Sequence, residues 1–189
     1  MTDGKASGNR ARRTPRPLDR ARLEELALAY VARFATSAAK LERYLARKLH
    51  ERGWDGEGGP DLAELVRRYA ELGYVDDAAY ARAKGGSLLR RGYGPRRVRQ
   101  ALAEAGIDAV TREETRAGEA AERRAALALA RKRGFGPFGA TRPDRQQREK
   151  QLAAMLRVGH ALDSAREMVD AASEQAAEQW AAERDDEEC

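Results

Sequence analysis

The sequence predicts an all-α protein of three tandem three-helix repeats that form an elongated, curved molecule. Its apolar residues are mostly alanine and leucine, which favour helices, as do its many arginines and glutamates. No long run of β-branched and aromatic residues indicates a sheet, and aromatic residues make up only 6% of the chain. A pattern of three helical segments recurs about every 50 residues, which is typical of stacked helical arrays. Since one such unit buries little core alone, we expect the units to stack end to end.

The first repeat is predicted over residues 22–75. Its first helical segment is LALAYVARF, and its second, KLERYLARKLHERGW, includes Gly53 at the place where a helix C-cap requires glycine. Pro60 and Asp61 then form a typical helix start before the third segment, PDLAELVRRYAELGYV.

The second repeat is predicted over residues 76–121. Its first segment, DAAYARAKG, begins at a pair of aspartates that suit a helix start. In the second segment, PRRVRQALAEAGID, Pro95 fits the first helical turn and Gly106 fits the C-cap. The third segment is DAVTREETRAGEA.

The third repeat is predicted over residues 122–172, with segments AALALARKRG, REKQLAAMLRVGHA and DSAREMVDAASEQ. Gly159 ends the second of these at the C-cap position. Between the first two lies GFGPFG, which fits the spacing of a dinucleotide-binding loop. That motif requires a strand before it and a helix opening within it, whereas here a helical segment precedes it and Pro137 breaks the turn. We interpret it as a linker.

The two ends of the chain differ in charge. Residues 1–21 are predicted to be a disordered basic arm, and residues 173–189 an acidic C-terminal tail, of which 174–188 is expected to be poorly ordered. The net charge is −8 over residues 163–189 but +5 for the whole chain, so the body is strongly basic. A basic body with an acidic tail indicates a polyanionic partner, with which the tail would compete.

Several functional classes lack their sequence signals. No run of about 18 apolar residues exists, so we expect no contact with a membrane. Cys189 is the only cysteine, which excludes a disulfide and a thiolate zinc site and favours the cytoplasm. His50 and His160 lack metal-ligand spacing, and no nucleophile, acid–base pair or phosphate loop is found. We predict a monomer that is not an enzyme, with no catalytic residue, no metal and no cofactor.

Basic residues cluster in two stretches that contain no acid, Lys84–Gln100 and Arg123–Pro143. The corresponding part of the first repeat is also basic but is diluted by Glu42 and Glu51. Arginine pairs with phosphate or carboxylate through two hydrogen bonds, and lysine acts as a point charge. The alternative interpretation is a solvated helix face. The candidate partner- and DNA-binding residues are Lys84, Arg90, Arg91, Arg96, Arg97, Arg99, Arg43, Arg47, Lys48, Arg131, Lys132 and Arg133.

Arg96 and Arg97 fall in the first turn of a predicted helix, where the helix dipole disfavours a cation by about 0.3–1 kcal/mol. An anion docked at this terminus would be held by backbone N–H groups and guanidinium groups together. We therefore expect an anion-binding corner here.

Two motifs, YAELGYVDDAAYAR at 69–82 and RRGYGPRRVRQALAEAGID at 90–108, resemble the central signature of the RecX family. These are bacterial regulatory proteins that modulate the RecA recombinase. The resemblance covers residues 22–172 and implies a fold of three tandem three-helix repeats. It also implies an inhibitor that lies along the groove of the RecA–DNA filament and suppresses its recombinase and ATPase activities. Homologous recombination, DNA repair and the SOS response would thereby be regulated negatively.

By motif, the resemblance places Arg82 among the positions of interest and implies structural roles for three residues: Asp77 as a helix cap, Tyr80 as a core anchor and Gly94 in a tight turn. Where the family often has Arg-Gly-aromatic, the third repeat has Val158-Gly159-His160. Two other classes stay open. One is a protein that binds single- or double-stranded DNA weakly, by electrostatics and without sequence preference. The other is a helix-turn-helix transcription factor.

Overall fold

The computed structural model describes residues 16–183, and within them it is helical, with no strand beyond one isolated bridge between Leu18 and Trp54. The all-α prediction and the tandem helical repeats are confirmed. The α-helices are α1 (Arg20–Arg33), α2 (Ala38–Arg52), α3 (Leu62–Glu71), α4 (Asp77–Arg90), α5 (Pro95–Glu104), α6 (Ala109–Glu114), α7 (Glu119–Arg133), α8 (Arg145–Arg157), α9 (Leu162–Asp170) and α10 (Glu174–Ala182), with a 3₁₀ helix at Gly136–Phe138 between α7 and α8.

The helices form three units, each with its own core. Unit 1 comprises α1–α3 around Leu41 and Leu45, both fully buried, and unit 3 comprises α7–α10 around Met155 and Met168. Unit 2 comprises α4–α6 and has a smaller core, in which Tyr80, Leu102 and Ile107 are the largest buried side chains. Its third helix, α6, is only six residues long and buries no residue. Unit 2 is therefore the least completely packed of the three.

The bounds of the repeats stay a prediction, but α7 begins at Glu119, so the predicted boundary between residues 121 and 122 falls inside a helix. The helix signals that were local in sequence are confirmed. Pro95 is the first residue of α5, and Gly53 and Gly106 follow α2 and α5 with φ of 80° and 82°.

The expectation of a poorly ordered stretch at 174–188 is wrong for residues 174–182, which form α10. Ala177 and Ala181 are buried against α7 and α9, and Trp180 packs on the same cluster. The guanidinium group of Arg123 lies over the Trp180 ring at 4.5 Å from its centroid. An apolar stripe thus anchors a helix whose other face is acidic. Residues 184–189 lie outside the described residues.

The prediction of a disordered basic arm at 1–21 is wrong for its last residues, 16–21, which are ordered. Residues 1–15 lie outside the described residues. Leu18 is fully buried in the core of unit 1. Its N–H donates to Gly53 O at 2.9 Å, and its carbonyl accepts from Asp55 N–H at 2.8 Å. Arg52 also donates two hydrogen bonds to Arg16 O. The chain before α1 therefore covers the glycine turn that follows α2.

Units 1 and 2 are joined by the start of α2, which meets the end of α5. The buried Ser37 hydroxyl donates to Ala105 O at 2.6 Å, and Ala38 N–H donates to Asp77 Oδ1 at 2.8 Å. A β-carbon on Gly106 would collide with the side chain of Ala39. Close approach and a positive φ both require glycine at this position.

Units 2 and 3 are joined in the same way, one unit further along: the start of α5 meets the turn after α8. Gly94 N–H donates to Val158 O at 2.9 Å, and Arg96 N–H donates to Gly159 O at 3.1 Å. The buried imidazole of His160 lies with Nε2 3.0 Å from Gly92 O, so its Nε2–H donates to that carbonyl. We call this contact the 2–3 joint.

Candidate basic binding surface

The 2–3 joint changes the interpretation of the arginines at the start of α5. The N–H of Arg96 is bonded to Gly159 O, and those of Arg97 and Val98 are bonded to Gly94 O. The expectation that backbone N–H groups at this terminus hold an external anion is therefore wrong, because the next unit and the helix itself already satisfy them. The side chain of Arg96 remains exposed. Any anion bound here would be held by guanidinium groups.

A shallow groove beside this terminus is lined mainly by arginines. Arg96, Arg99 and Gln100 contribute from α5, and Arg112 contributes from α6, around a space of about 300 Å³. Among the described residues, no carboxylate lies within ion-pair distance of Arg96, Arg99 or Arg112. Unpaired guanidinium groups on adjacent helices are free to pair with phosphate or carboxylate oxygens. We call this the arginine groove.

Arg112 was missed by the sequence reasoning because it is surrounded by acids in TREET. Its Nε donates to Asp108 O at 3.2 Å, which holds the side chain against its own helix. The signal that could have found it is its position in the short third helix of a unit whose second helix is rich in arginine.

A second group of cations surrounds the 2–3 joint. A β-carbon on Gly92 would lie 3.1 Å from Leu129 of α7, so the turn after α4 packs directly on that helix. Lys132 and Arg133 lie three and four residues beyond Leu129, one turn further along α7, where they are exposed. Arg90 and Arg91 flank the turn on the other side. These four exposed cations have no carboxylate partner among residues 16–183, and Arg91 donates to Ser87 O and lies near the Tyr93 ring.

The remaining predicted cations are distributed differently. Lys84 lies on α4 with no ion-pair partner in the described part of the chain. Arg97 lies 3.8 Å from Glu104. In unit 1, Arg47 and Lys48 both pair with Glu51, at 3.7 and 2.6 Å.

Arg43 and Arg131 are engaged within the protein. Arg43 donates to Glu104 O at 3.1 Å across the joint between units 1 and 2, which gives it a structural role. The guanidinium group of Arg131 is paired with Glu178 of α10 and lies near the Phe138 ring. The acidic helix therefore reduces the positive charge that α7 presents.

The three structural motif residues also receive more exact roles. Asp76 caps α4 by accepting from Ala79 N–H. The Asp77 carboxylate instead accepts from the N–H of Ala38, the first residue of α2, so it acts at the start of a helix of unit 1 and not of its own helix. Tyr80 is buried in the core of unit 2, as predicted, and its hydroxyl accepts from Lys40 Nζ at 2.9 Å.

Gly94 does not form the tight turn, because its φ is −81° and the positive φ of 85° belongs to Gly92. Glycine is required at position 94 for a different reason. A β-carbon there would overlap the backbone of Gly159 and His160.

Within residues 16–183, no group of three or more histidine, cysteine or carboxylate side chains could hold a metal ion. Over the same range, no helix has the length and apolarity needed to cross a bilayer. The GFGPFG segment forms a 3₁₀ turn between two helices, with Gly136 N–H bonded to Gln151 Oε1. It packs against the core of unit 3 through Phe135 and Phe138.

The fold and the surface define a class: a tandem three-helix repeat protein with an arginine-rich face on its middle unit. Residues 76–115 match the family model described as RecX, second three-helix domain. The chain is 33% identical over 170 residues to the Regulatory protein RecX of Myxococcus xanthus, covering 85% of this chain and 91% of that protein. It is 40% identical over 111 residues to the Regulatory protein RecX of Deinococcus radiodurans, covering 58% of this chain and 51% of that protein.

A solved structure supports the fold. The crystal structure of RecX from Lactobacillus salivarius matches with a TM-score of 0.64 and 18% identity, over 79% of this chain and 94% of that one. On the sequence relatives, the chain belongs to the RecX family of regulatory proteins.

Proposed function

We propose that this protein is a negative regulator of homologous recombination and DNA repair that binds the RecA–DNA filament in the cytoplasm and suppresses its recombinase and ATPase activities. The observation that carries the proposal is the arginine groove in a chain of the RecX family. Arg96, Arg99 and Arg112 lie together on unit 2 without a carboxylate partner among the described residues. A filament offers both DNA phosphates and protein carboxylates to such a surface.

The cations around the 2–3 joint extend this surface from unit 2 to unit 3. Arg90, Arg91, Lys132 and Arg133 are exposed beside the turn that joins the two units. Because the joint fixes one unit against the next, cations of both units keep their spacing when they meet an extended partner. The paired cations of unit 1, Arg47 and Lys48, contribute less, since Glu51 already neutralises part of their charge.

The test replaces Arg96, Arg97 and Arg99 by alanine. A matched control replaces Arg20, Arg67 and Arg166, which are exposed arginines in surface ion pairs elsewhere. Both variants lose three positive charges, and both should fold, because surface substitutions usually change stability by less than about 0.5 kcal/mol. Purified recombinase, ATP and single-stranded DNA would be used to measure filament binding and inhibition of ATP hydrolysis.

We expect the first variant to bind the filament at least about tenfold more weakly, since one desolvated charged contact is worth about 1–3 kcal/mol, and the control to bind as the parent does. If the first variant inhibits ATP hydrolysis as well as the parent, the arginine groove is a solvated face. If the parent itself neither binds the filament nor inhibits it, the proposed function is wrong.

DNA binding alone is the second candidate, and the unpaired cations favour it. It predicts that the parent binds naked single-stranded DNA with a strong salt dependence but does not act on the recombinase. Replacing Arg112 by alanine should lower that salt dependence by about one phosphate contact if the arginine groove meets phosphate. Replacing Arg67, which is paired with Glu64, should leave it unchanged.

A further inference from the structure

Unit 2 contains a cleft of about 500 Å³ that its own side chains leave unfilled. Its floor is apolar: Gly85, Gly86 and Leu89 of α4 face Val98 and Leu102 of α5. In unit 1 the third helix, α3, buries Leu65, Val66 and Tyr69. In unit 2, α6 has six residues and none of them is buried.

The two consecutive glycines on α4 keep the cleft open. A β-carbon on Gly85 would touch Val98 at 3.4 Å, and one on Gly86 would have only the end of the Arg90 side chain nearby, at 3.2 Å. Neither residue has a positive φ, so the backbone does not require glycine at either position. Glycine also weakens a helix interior compared with nearly every other residue. What these glycines provide is space.

One side of the cleft is positively charged and favours a negative group. Arg82 of α4 and Arg99 of α5 line it, and no carboxylate among the described residues pairs with either. The opposite side carries the acids Glu113 and Glu114 together with Arg112, whose Nε donates to Asp108 O, and Arg116 there is paired with Glu122 at 3.2 Å. An occupant would place a negative group toward Arg82 and Arg99, away from the carboxylates of Glu113 and Glu114.

We propose that this cleft receives an apolar side chain of a recombinase subunit that has a carboxylate beside it. The apolar group completes the core of unit 2, and the carboxylate pairs with Arg82 and Arg99. Burial of the apolar group excludes water from that ion pair, which strengthens it relative to a pair on the open surface. This inference rests on the proposed function, since it takes the recombinase as the partner, and it adds a protein-binding pocket next to the arginine groove.

The first test is independent of the recombinase. Indole-3-propionate serves as an apolar probe with a carboxylate, and tryptamine as the probe with the same ring and an opposite charge. Nuclear magnetic resonance titration of the full chain should give saturable shifts at Gly85 and Gly86 with indole-3-propionate. A ligand of this size at ordinary efficiency binds with a dissociation constant of about 1 mM. Tryptamine should bind at least about tenfold more weakly.

The blocking variant is Gly86→Leu, which places a side chain in the cleft. Leucine also favours a helix more than glycine does, so the substitution should not disrupt α4. Its matched control is Ala83→Leu, an exposed position on the same helix that does not line the cleft. The first should lose indole-3-propionate binding, and the second should retain it. Retained binding in Gly86→Leu, or equal binding of tryptamine, would overturn the proposal.

The second test measures inhibition of the recombinase ATPase by the same variants. Gly86→Leu should need at least about ten times the parent's concentration for half inhibition, whereas Ala83→Leu should match the parent. Equal inhibition by Gly86→Leu and the parent overturns the cleft as a docking site. Failure of the parent to inhibit overturns both the proposed function and the recombinase as the source of the occupant. Indole-3-propionate binding that is lost in Gly86→Leu would still establish the pocket.

Discussion

Gly94 and Gly159 face each other across the 2–3 joint with no room for a β-carbon on either residue. A β-carbon on Gly94 would overlap the backbone of Gly159, and one on Gly159 would lie 2.5 Å from Arg97 N. Both neighbours are main-chain atoms, which cannot move aside as a flexible side chain can. Two hydrogen bonds, from Gly94 and Arg96, close the same contact.

Replacing Gly94 by alanine should therefore destabilise the protein by about 1–3 kcal/mol, the usual cost of overpacking a tight contact. Thermal or urea unfolding measures the change, and amide exchange at Gly159 and His160 locates it. The control is Gly86→Ala, whose new methyl group meets only the flexible end of the Arg90 side chain, so the variant should be stabilised by about 0.5–1 kcal/mol through helix propensity. Equal stability of Gly94→Ala and the parent would show that the joint is loose.

Ser37 should matter more to stability than an ordinary helix cap. It caps α2 and also donates from a fully buried hydroxyl to Ala105 O in unit 2. Ser37→Ala leaves that buried carbonyl without its partner and should cost about 1–3 kcal/mol. Ser173 caps α10 at an exposed position and contacts no other unit, so Ser173→Ala should lose only the cap, about 1 kcal/mol. Denaturant unfolding of both variants would reveal no difference if the bond between the units were unimportant.

His160 should make stability depend on pH. It is 1% exposed, and burial lowers the pKa of its imidazole below the usual 6.5, although the bond to Gly92 opposes this. In the window between the lowered pKa and 6.5, the unfolded chain binds a proton that the folded chain does not. Stability from this group is therefore complete above about pH 6.5 and falls as the pH drops through that window.

The measurement is unfolding free energy from about pH 7.5 down to about pH 5, for the parent and for His160→Asn. Asparagine can still donate to a carbonyl but does not titrate. The unfolding free energy of His160→Asn should fall less steeply with decreasing pH than that of the parent. The control His50→Asn, on the exposed side of α2, should keep the slope of the parent. Identical slopes in the parent and His160→Asn would contradict a lowered pKa.

Neutralising Glu178 should free Arg131 for a polyanion. Their ion pair is half exposed, so Glu178→Gln should change stability little. Affinity for single-stranded DNA should rise at low salt. The decrease of log affinity with log salt concentration should become steeper by the amount expected for up to about one additional phosphate contact. Glu174→Gln removes the same charge from the first turn of the same helix, where no ion pair is formed among the described residues, and serves as the control. A rise of the same size in both variants would indicate a general charge effect instead.

The fold was predictable where the signals are local. Helix starts at Pro95 and Asp61 and the C-cap at Gly106 depend on a few neighbouring residues, and the period near 50 residues reports the tandem units. The roles of Gly94 and Ser37 were not predictable in this way. Each depends on a contact with a residue more than 60 positions away.

The binding surface was also predictable only where it depends on the local sequence and not on contacts between distant residues. The exposed arginines of α5 follow from composition, but the backbone partner of Arg96 and the engagement of Arg131 with α10 follow only from packing. The acidic composition of residues 174–188 concealed the apolar positions Ala177, Trp180 and Ala181. Their spacing of three and four residues was the available signal for a packed helix.

Leu18 has a consequence for how copies of this protein can associate. The glycine turns at Gly106 and Gly159 each receive the second helix of the preceding unit, whereas the turn at Gly53 is covered by Leu18 instead. A terminal unit that left this turn open would offer a docking surface to another copy, and head-to-tail contacts of that kind grow into fibres. Within the described residues, the segment before α1 covers the turn at Gly53, so this turn is not open to the second helix of another copy.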